Sequence, residues 1–291
     1  MTNPIYLSVV LSTYNDENYI AESINSILNQ SYPYFEFIIV NDGSTDDTLK
    51  VIKSFKDPRI ILIDKPNSGL INSLNIGVKA AKYDWIARMD GDDIAEPNRF
   101  EEEVKYIKTG VAVVSSQCNI IDSKGSIIGK TKFMTSTIGK YFSFKYSIVL
   151  IAHPTVIFNK HLFNQVGGYD KNMYVAEDYD LWTKMLAFGK LEVCNKRLLN
   201  LRKHNNNISA KGQYFQQLNS TIGVVKRIHK LNRSLTELEY TEIKELVLKS
   251  NFYNTRSLIS GPVGYVLHQI YLYYACRRNK AIKEYVRNIS I

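Results

Sequence analysis

"ARMDGDD", residues 87–93, sets three aspartates in four positions directly behind the apolar run Trp85-Ile86-Ala87. An ordinary turn after a strand needs no such concentration of like charge. Carboxylates within about 4–6 Å of one another raise each other's pKa unless a cation lies between them. An all-oxygen cluster of this kind suits Mg²⁺ or Mn²⁺, hard ions that bind through one or two carboxylates and keep places for water or phosphate oxygens. A solvated turn or a helix cap is the plainer alternative. What decides between them is the register of the stretch with the rest of the chain.

Upstream, short apolar runs alternate with helical patterns. Leu7 to Leu11, Phe35 to Val40, Ile60 to Ile63 and Trp85 to Met89 read as buried strands. Helices are expected over about Tyr19–Asn29, from an N-cap at Ser44 to about Phe55, and over Leu70–Ala81. Short strands separated by helices of about ten residues predict a parallel sheet with right-handed crossovers.

Downstream, the pattern predicts a helix over Asn98–Lys108 and a strand over Val111–Gln117. A hairpin is expected around Asp122-Ser123-Lys124-Gly125, and another helix over Asp178–Phe188. The last ninety residues read as helices rich in Tyr, Lys and Arg.

Ligands of open parallel sheets bind outside the carboxyl ends of the strands. The early strands end in Thr13-Tyr14-Asn15-Asp16, Asn41-Asp42-Gly43-Ser44 and Asp90-Gly91-Asp92-Asp93. One rim therefore collects Thr13, Asn15, Asp42, Asp90, Asp92 and Asp93. Neighbouring Asn and Asp side chains offer the donors and acceptors that read the edge of a base.

Bulk composition narrows the partners. The 291 residues are 45% apolar, enough for a sizeable core. Residues 1–195 hold 20 Lys/Arg and 23 Asp/Glu (−3), whereas residues 196–291 hold 17 and 5 (+12). A basic tail suggests an anionic partner, either phospholipid headgroups or nucleic acid. Cys118, Cys194 and Cys276 lie far apart, which suits a reducing compartment and excludes a multi-cysteine zinc site. Met1 to Pro4 open no signal peptide, and the apolar stretch Tyr265–Ala275 is far short of the roughly 20 residues that span a bilayer. A cytoplasmic protein is expected, and the triplet Asn207-Ile208-Ser209 is read as chance rather than as a glycosylation site.

"VVLSTYND", "IIVNDGSTDDT", "NSGLINSLNIGVKAA", "ARMDGDD" followed by Pro97 and Arg99, "HPTVIF", "GGYD" and "AEDYDLW" occur in this order. Together they resemble the signature series of the family 2 glycosyltransferases, over about residues 5 to 210. The resemblance implies the GT-A fold, a Rossmann-like, mostly parallel sheet flanked by helices, and transfer with inversion at the anomeric carbon. It divides the chain into a catalytic domain over 1–210 and a basic helical extension over 211–291. By position it assigns Thr13, Asn15 and Asp42 to uridine, Asp90 to the ribose and Asp92 to the metal, Mn²⁺ or Mg²⁺. In the acidic pair Glu177-Asp178, the second member is the general base.

Around that base, Glu177 and Asp180 are competitors, or else favourable charges in the first turn of a helix. Trp182, one turn on, reads as core sooner than as a sugar platform. His204 either completes the metal shell or is a surface histidine. His153 either lines the acceptor cleft or packs structurally, and Asp93 is expected on the acceptor side or around the metal, behind its direct ligands.

The chain departs from the family at Ser73-Leu74-Asn75-Ile76-Gly77, where many relatives carry Ala-Arg-Asn-x-Gly, and at Ala176, where some carry Gly. Lys65 and Arg88 are candidates for the positive charge that the absent Arg would supply.

The expected reaction moves glucose, galactose or an N-acetylhexosamine from a UDP-sugar to a glycan hydroxyl. The acceptor would be lipid-diphosphate-linked, as in O-antigen, capsule or lipooligosaccharide assembly. Tyr265, Tyr271, Tyr273 and Tyr274 beside Arg277, Arg278, Lys280, Lys283 and Arg287 suit a helix on an anionic leaflet, or one packed on its own domain. A haloacid-dehalogenase-type phosphatase using Asp90 as nucleophile, a non-catalytic nucleotide-sugar binder and a nucleic-acid-binding protein are the rivals. Against the last, an acidic cleft repels phosphates unless metal is bound.

Overall fold

Seven consecutive buried residues form β1 (Leu7–Thr13), and they can be buried because both faces of this strand are covered. Toward one face, Leu7, Val9 and Leu11 meet Ile20, Ile24 and Ile27 of α1 (Ile20–Leu28) and Ile52 of α2 (Thr48–Ser54). Toward the other, α3 (Leu70–Ala80) packs on β1 and on β2 (Phe35–Asp42). Full burial of each such aliphatic side chain contributes about 1.5–3 kcal/mol. The structure is a computed structural model and describes residues 4–133, 135–136, 151–204, 213–249 and 274–289.

β1 pairs in parallel with β2 and with β4 (Trp85–Asp90), and β2 pairs in parallel with β3 (Ile60–Lys65). The parallel half of the sheet is thus the one expected. Beyond β4 the sheet is mixed. The remaining strands are β5 (Ile94–Ala95), β6 (Val111–Ile121), β7 (Ile127–Lys130), β8 (Ile157–Asn159) and β9 (Lys190–Arg202). The spatial order is β3-β2-β1-β4-β8-β6-β9-β5, with β7 hairpinned on β6. The long β6–β9 pairing is parallel, and β8 runs antiparallel to both β4 and β6.

Several elements differ from the sequence reading. α2 begins at Thr48 instead of just after Ser44, because Ser44 accepts a hydrogen bond from the Asn15 amide and Asp46 Oδ1 accepts one from Thr48 N, 3.0 Å away. The helix expected over Asn98–Lys108 is only α4 (Arg99–Glu103) with a 3₁₀ turn at Val104–Tyr106. β9 was not anticipated at all.

Contacts divide the chain into two units. The sheet belongs to residues 1–135, 151–164 and 189–205; residues 165–188, carrying α5 (Glu177–Met185), group with 206–291. The second unit also contains α6 (Gln213–Ile228), α7 (Glu237–Lys249) and α8 (Lys280–Ile289). Its own core gathers Met173, Tyr179, Leu218, Ile222, Ile243, Val247, Cys276, Ile282 and Val286. Ile282 and Val286 turn the apolar face of α8 inward, while Arg277, Arg278, Lys280, Lys283 and Arg287 are exposed. Tyr265, Tyr271, Tyr273 and the Asn207-Ile208-Ser209 triplet lie outside the described residues. Among the described residues, no helix is long and apolar enough to cross a membrane.

Candidate functional site

Strand register builds the rim. Ser12 lies opposite Asp90, Thr13 opposite Asn41, and Asp42 opposite Lys65, so β1, β2 and β4 release their polar ends at one level. The acidic loop is short because β5 resumes pairing at once, Ile94 against Asn200 of β9. Its backbone is tied down by Ser23 Oγ, which donates to the Asp90 carbonyl at 2.7 Å. One carboxylate oxygen each from Asp90, Asp92 and Asp93 falls within 4.8 Å of the others. His204 Nε2 sits 2.9 Å from Asp92 Oδ2.

Burial and mutual repulsion shape the electrostatics of this cluster. Burial, followed by the Asp92 and Asp90 charges, pushes the Asp93 carboxyl well above the usual carboxylate range. Burial also raises Asp90, opposed by the Arg88 guanidinium that pairs with it. Asp93 Oδ1 accepts from the Arg202 amide at 2.7 Å, while Asp93 Oδ2 is buried without a hydrogen-bond partner. Leaving such an oxygen orphaned costs about 1–3 kcal/mol or more for a charged group. Three hard oxygens and one imidazole fit Mg²⁺ or Mn²⁺.

Asp16 joins this cluster although the sequence reading had not singled it out. It accepts from Thr13 Oγ1 at 2.7 Å, and burial, with Asp92 and Asp90 adding, raises its carboxyl to about 6. A Cβ on Gly91 would lie 2.6 Å from Asp16 Oδ2 and 3.0 Å from Thr13 Oγ1, so a side chain here would push the Asp16–Thr13 pair aside. The signal was its place in the tetrad ending β1. Arg202 was missed too. It stands in a basic segment, yet its side chain is 2% exposed.

The other rim residues are held by the loops around them. Asn15, at φ 58°, accepts from Thr45 N at 2.8 Å through Oδ1. Asp42 is buried; Oδ1 accepts from Ser68 N at 2.8 Å and Oδ2 from Gly69 N at 2.9 Å, with the Lys65 ammonium against Oδ1. The two cations considered for the absent Arg are thus both at the rim, Lys65 on Asp42 and Arg88 on Asp90. Arg99 Nη2 donates to the Arg88 carbonyl at 3.0 Å, fixing the end of β4 from beneath. His153 stands in a 3₁₀ turn, where burial and then the Arg88 charge push its pKa well below the ordinary histidine value.

In the second unit, the acidic pair opens α5. Val175, just before it, is held at φ 57°, an unusual conformation for a β-branched residue. Glu177 is buried, whereas Asp178 is partly exposed and its Oδ1 accepts from Tyr179 N at 2.6 Å. Asp180 faces inward between Lys184 at 2.9 Å and Lys226. Lys226 also reaches Asp170 at 3.4 Å, and Lys184 donates to the Gly168 carbonyl at 2.8 Å. Two aspartates and two lysines thus close a neutral buried network under α5. Trp182 is buried on the same helix.

Residues 8–167 match the model of glycosyl transferase family 2. An uncharacterized glycosyltransferase of Haemophilus influenzae is 31% identical over 100% of this chain and 99% of its own length. The O-antigen biosynthesis glycosyltransferase WbnJ of Escherichia coli is 33% identical over 68% of this chain and 80% of its own length. In fold, the chain is similar to S. aureus TarS, solved in complex with UDP-GlcNAc, with a TM-score of 0.62 at 21% identity, covering 87% of this chain and 74% of that one. The mixed sheet flanked by helices, with helices following it, is that of the GT-A glycosyltransferases. This chain belongs to glycosyl transferase family 2.

Proposed function

We propose that the chain transfers a hexose (glucose, galactose or an N-acetylhexosamine) from a UDP-sugar to a hydroxyl of a glycan acceptor, inverting the anomeric carbon. The observation that carries this reading is the convergence of Asp90, Asp92 and Asp93, with His204 beside Asp92, at the carboxyl ends of the parallel strands. Asp92, Asp93 and His204 would hold Mn²⁺ or Mg²⁺, whose charge would stabilise the departing diphosphate. Thr13, Asn15 and Asp42 bind the uridine, and Asp90 the ribose. Asp178 takes the proton of the acceptor hydroxyl as it attacks, with Glu177 beside it. A single base without a covalent intermediate gives inversion.

The acceptor proposed is a lipid-diphosphate-linked glycan at the inner face of the plasma membrane; the name of WbnJ supports this choice. Contact with an anionic leaflet would rest on the exposed cations from Arg277 to Arg287, because α8 spends its apolar face on its own core.

The test is a panel of UDP- and GDP-sugars with Mn²⁺, scored by nucleotide release, beside p-nitrophenyl phosphate as a phosphatase substrate. UDP release that requires metal supports the reading. Release from GDP-sugars alone overturns the donor assignment, and phosphatase turnover without nucleotide release overturns the whole.

A further inference from the structure

Arg202 ends β9 with its side chain buried, and its polar groups point at several parts of the chain. Its amide donates to Asp93 Oδ1 at 2.7 Å. Nε donates to the Asp92 carbonyl at 2.8 Å, and Nη2 to Glu22 Oε2 at 2.6 Å. Nη1 reaches the carbonyls of Asp122 at 3.3 Å and Ser123 at 3.2 Å, in the β6–β7 turn. Its Cζ stands 4.6 Å from the centre of the Tyr19 ring, and that ring lies 5.1 Å from the imidazole of His204.

One residue therefore grips the acidic loop twice, through the Asp92 backbone and the Asp93 carboxylate. Its charge is met by Glu22, on α1. Two residues further on, the same strand end delivers His204 to Asp92, and the Tyr19 ring is close to both the guanidinium and the imidazole. A planar fork with five donors can hold these directions at once, which an ammonium cannot.

We propose that Arg202 is a positioning residue that presets the Asp92, Asp93 and His204 ligand atoms at the spacing a divalent cation requires. This rests on the reading of the acidic loop as a metal site. Outer partners that orient metal ligands typically change affinity by about 10–100-fold when removed.

The experiment compares the full chain with Arg202→Lys and Glu22→Gln. Two quantities are read: Mn²⁺ affinity by calorimetry in the presence of UDP, and amide hydrogen exchange across residues 90–94 without metal. Arg202→Lys should lose about tenfold or more in Mn²⁺ affinity and exchange faster at the loop. Glu22→Gln, at an exposed carboxylate, leaves the guanidinium uncompensated beside the cation. It should also weaken Mn²⁺ binding, and more so at low salt. A folded Arg202→Lys that matches the parent in both readouts overturns the proposal. Should Arg202→Lys not fold, parent-like Mn²⁺ affinity in Glu22→Gln overturns it instead. A parent chain that binds no Mn²⁺ with UDP sinks the metal reading and this assignment together; parent and variant binding equally well sinks the assignment alone.

Discussion

His204 Nε2 and Asp92 Oδ2 lie 2.9 Å apart, although 112 residues separate them in sequence. The acidic loop leaves β4, and the histidine leaves β9; β5 pairing with β9 brings the two together. If both are metal ligands, they differ in what their loss removes. Asp92→Ala takes away a charged oxygen and should abolish metal-dependent UDP binding. His204→Ala removes a neutral ligand and should weaken that binding by about tenfold, with the carboxylates still able to hold the ion. Calorimetry with UDP and Mn²⁺ distinguishes the two; unchanged affinity in His204→Ala would remove the imidazole from the metal shell.

Asp178 is the residue on which transfer should depend without affecting donor binding. Asp178→Asn preserves size and the hydrogen bond accepted from Tyr179 N, but cannot take a proton. Its UDP affinity should equal the parent's, while sugar transfer falls by about 10²–10⁴-fold, the usual worth of a positioned base. Transfer at the parent rate would shift the role elsewhere, with Glu177 next in line.

How far the sequence disclosed this molecule depended on the kind of signal each part carries. Leu7 to Thr13 and Phe35 to Asp42 are buried on both faces, so their apolar runs were readable and their polar ends marked the rim. β9 carries the burial pattern of a half-covered strand, and Glu192, Lys196, Arg197 and Asn200 interrupt it. Its pairing with β6 also shifts register near Ser116 to Cys118, which removes the regular alternation a strand would show. Asp92 could be found because three aspartates cluster in sequence. Arg202 bonds to groups far along the chain, and Asp16 feels the distant Asp92 and Asp90 charges; charge alone gives no hint of which groups a side chain meets. Asp180 shows the converse: it sits in an acidic motif, yet it belongs to a buried network with Lys184 and Lys226.

That network gives a stability expectation with a definite sign. Removing Asp180 leaves two buried lysines without their shared partner, and breaking a buried pair in this way costs about 3–5 kcal/mol. Asp180→Ala should therefore unfold at much lower denaturant than the parent. The Lys226 and Lys184 charges overcome burial and hold the Asp180 carboxyl below its ordinary value. A carboxyl depressed in the native state binds fewer protons there than when unfolded, so its contribution is present above its unfolded pKa of about 4. It is lost as pH falls below that value through the native one. Urea unfolding followed between pH 7 and pH 3 should show the parent losing stability more steeply than Asp180→Asn.

Gly77 offers a contest of two opposing effects. It lies inside α3, where replacing glycine by alanine ordinarily stabilises a helix by about 1 kcal/mol. A Cβ there would stand 2.5 Å from Val10 Cγ1 and 3.3 Å from Val40 Cγ2. Both valines are buried on the central strands β1 and β2, so neither can retreat into solvent. Overpacking a core typically costs about 1–3 kcal/mol, which outweighs the gain in propensity. Gly77→Ala should thus lower the urea midpoint with the slope unchanged. Val10→Ala in the same chain opens the space and should recover part of the loss, giving a double variant more stable than the sum of the single effects. If Gly77→Ala raises the midpoint, α3 is free to move away from the sheet. The close approach of helix to strand then cannot be why glycine stands here, even though the chain departs from the family at Ser73 and Leu74 just before it.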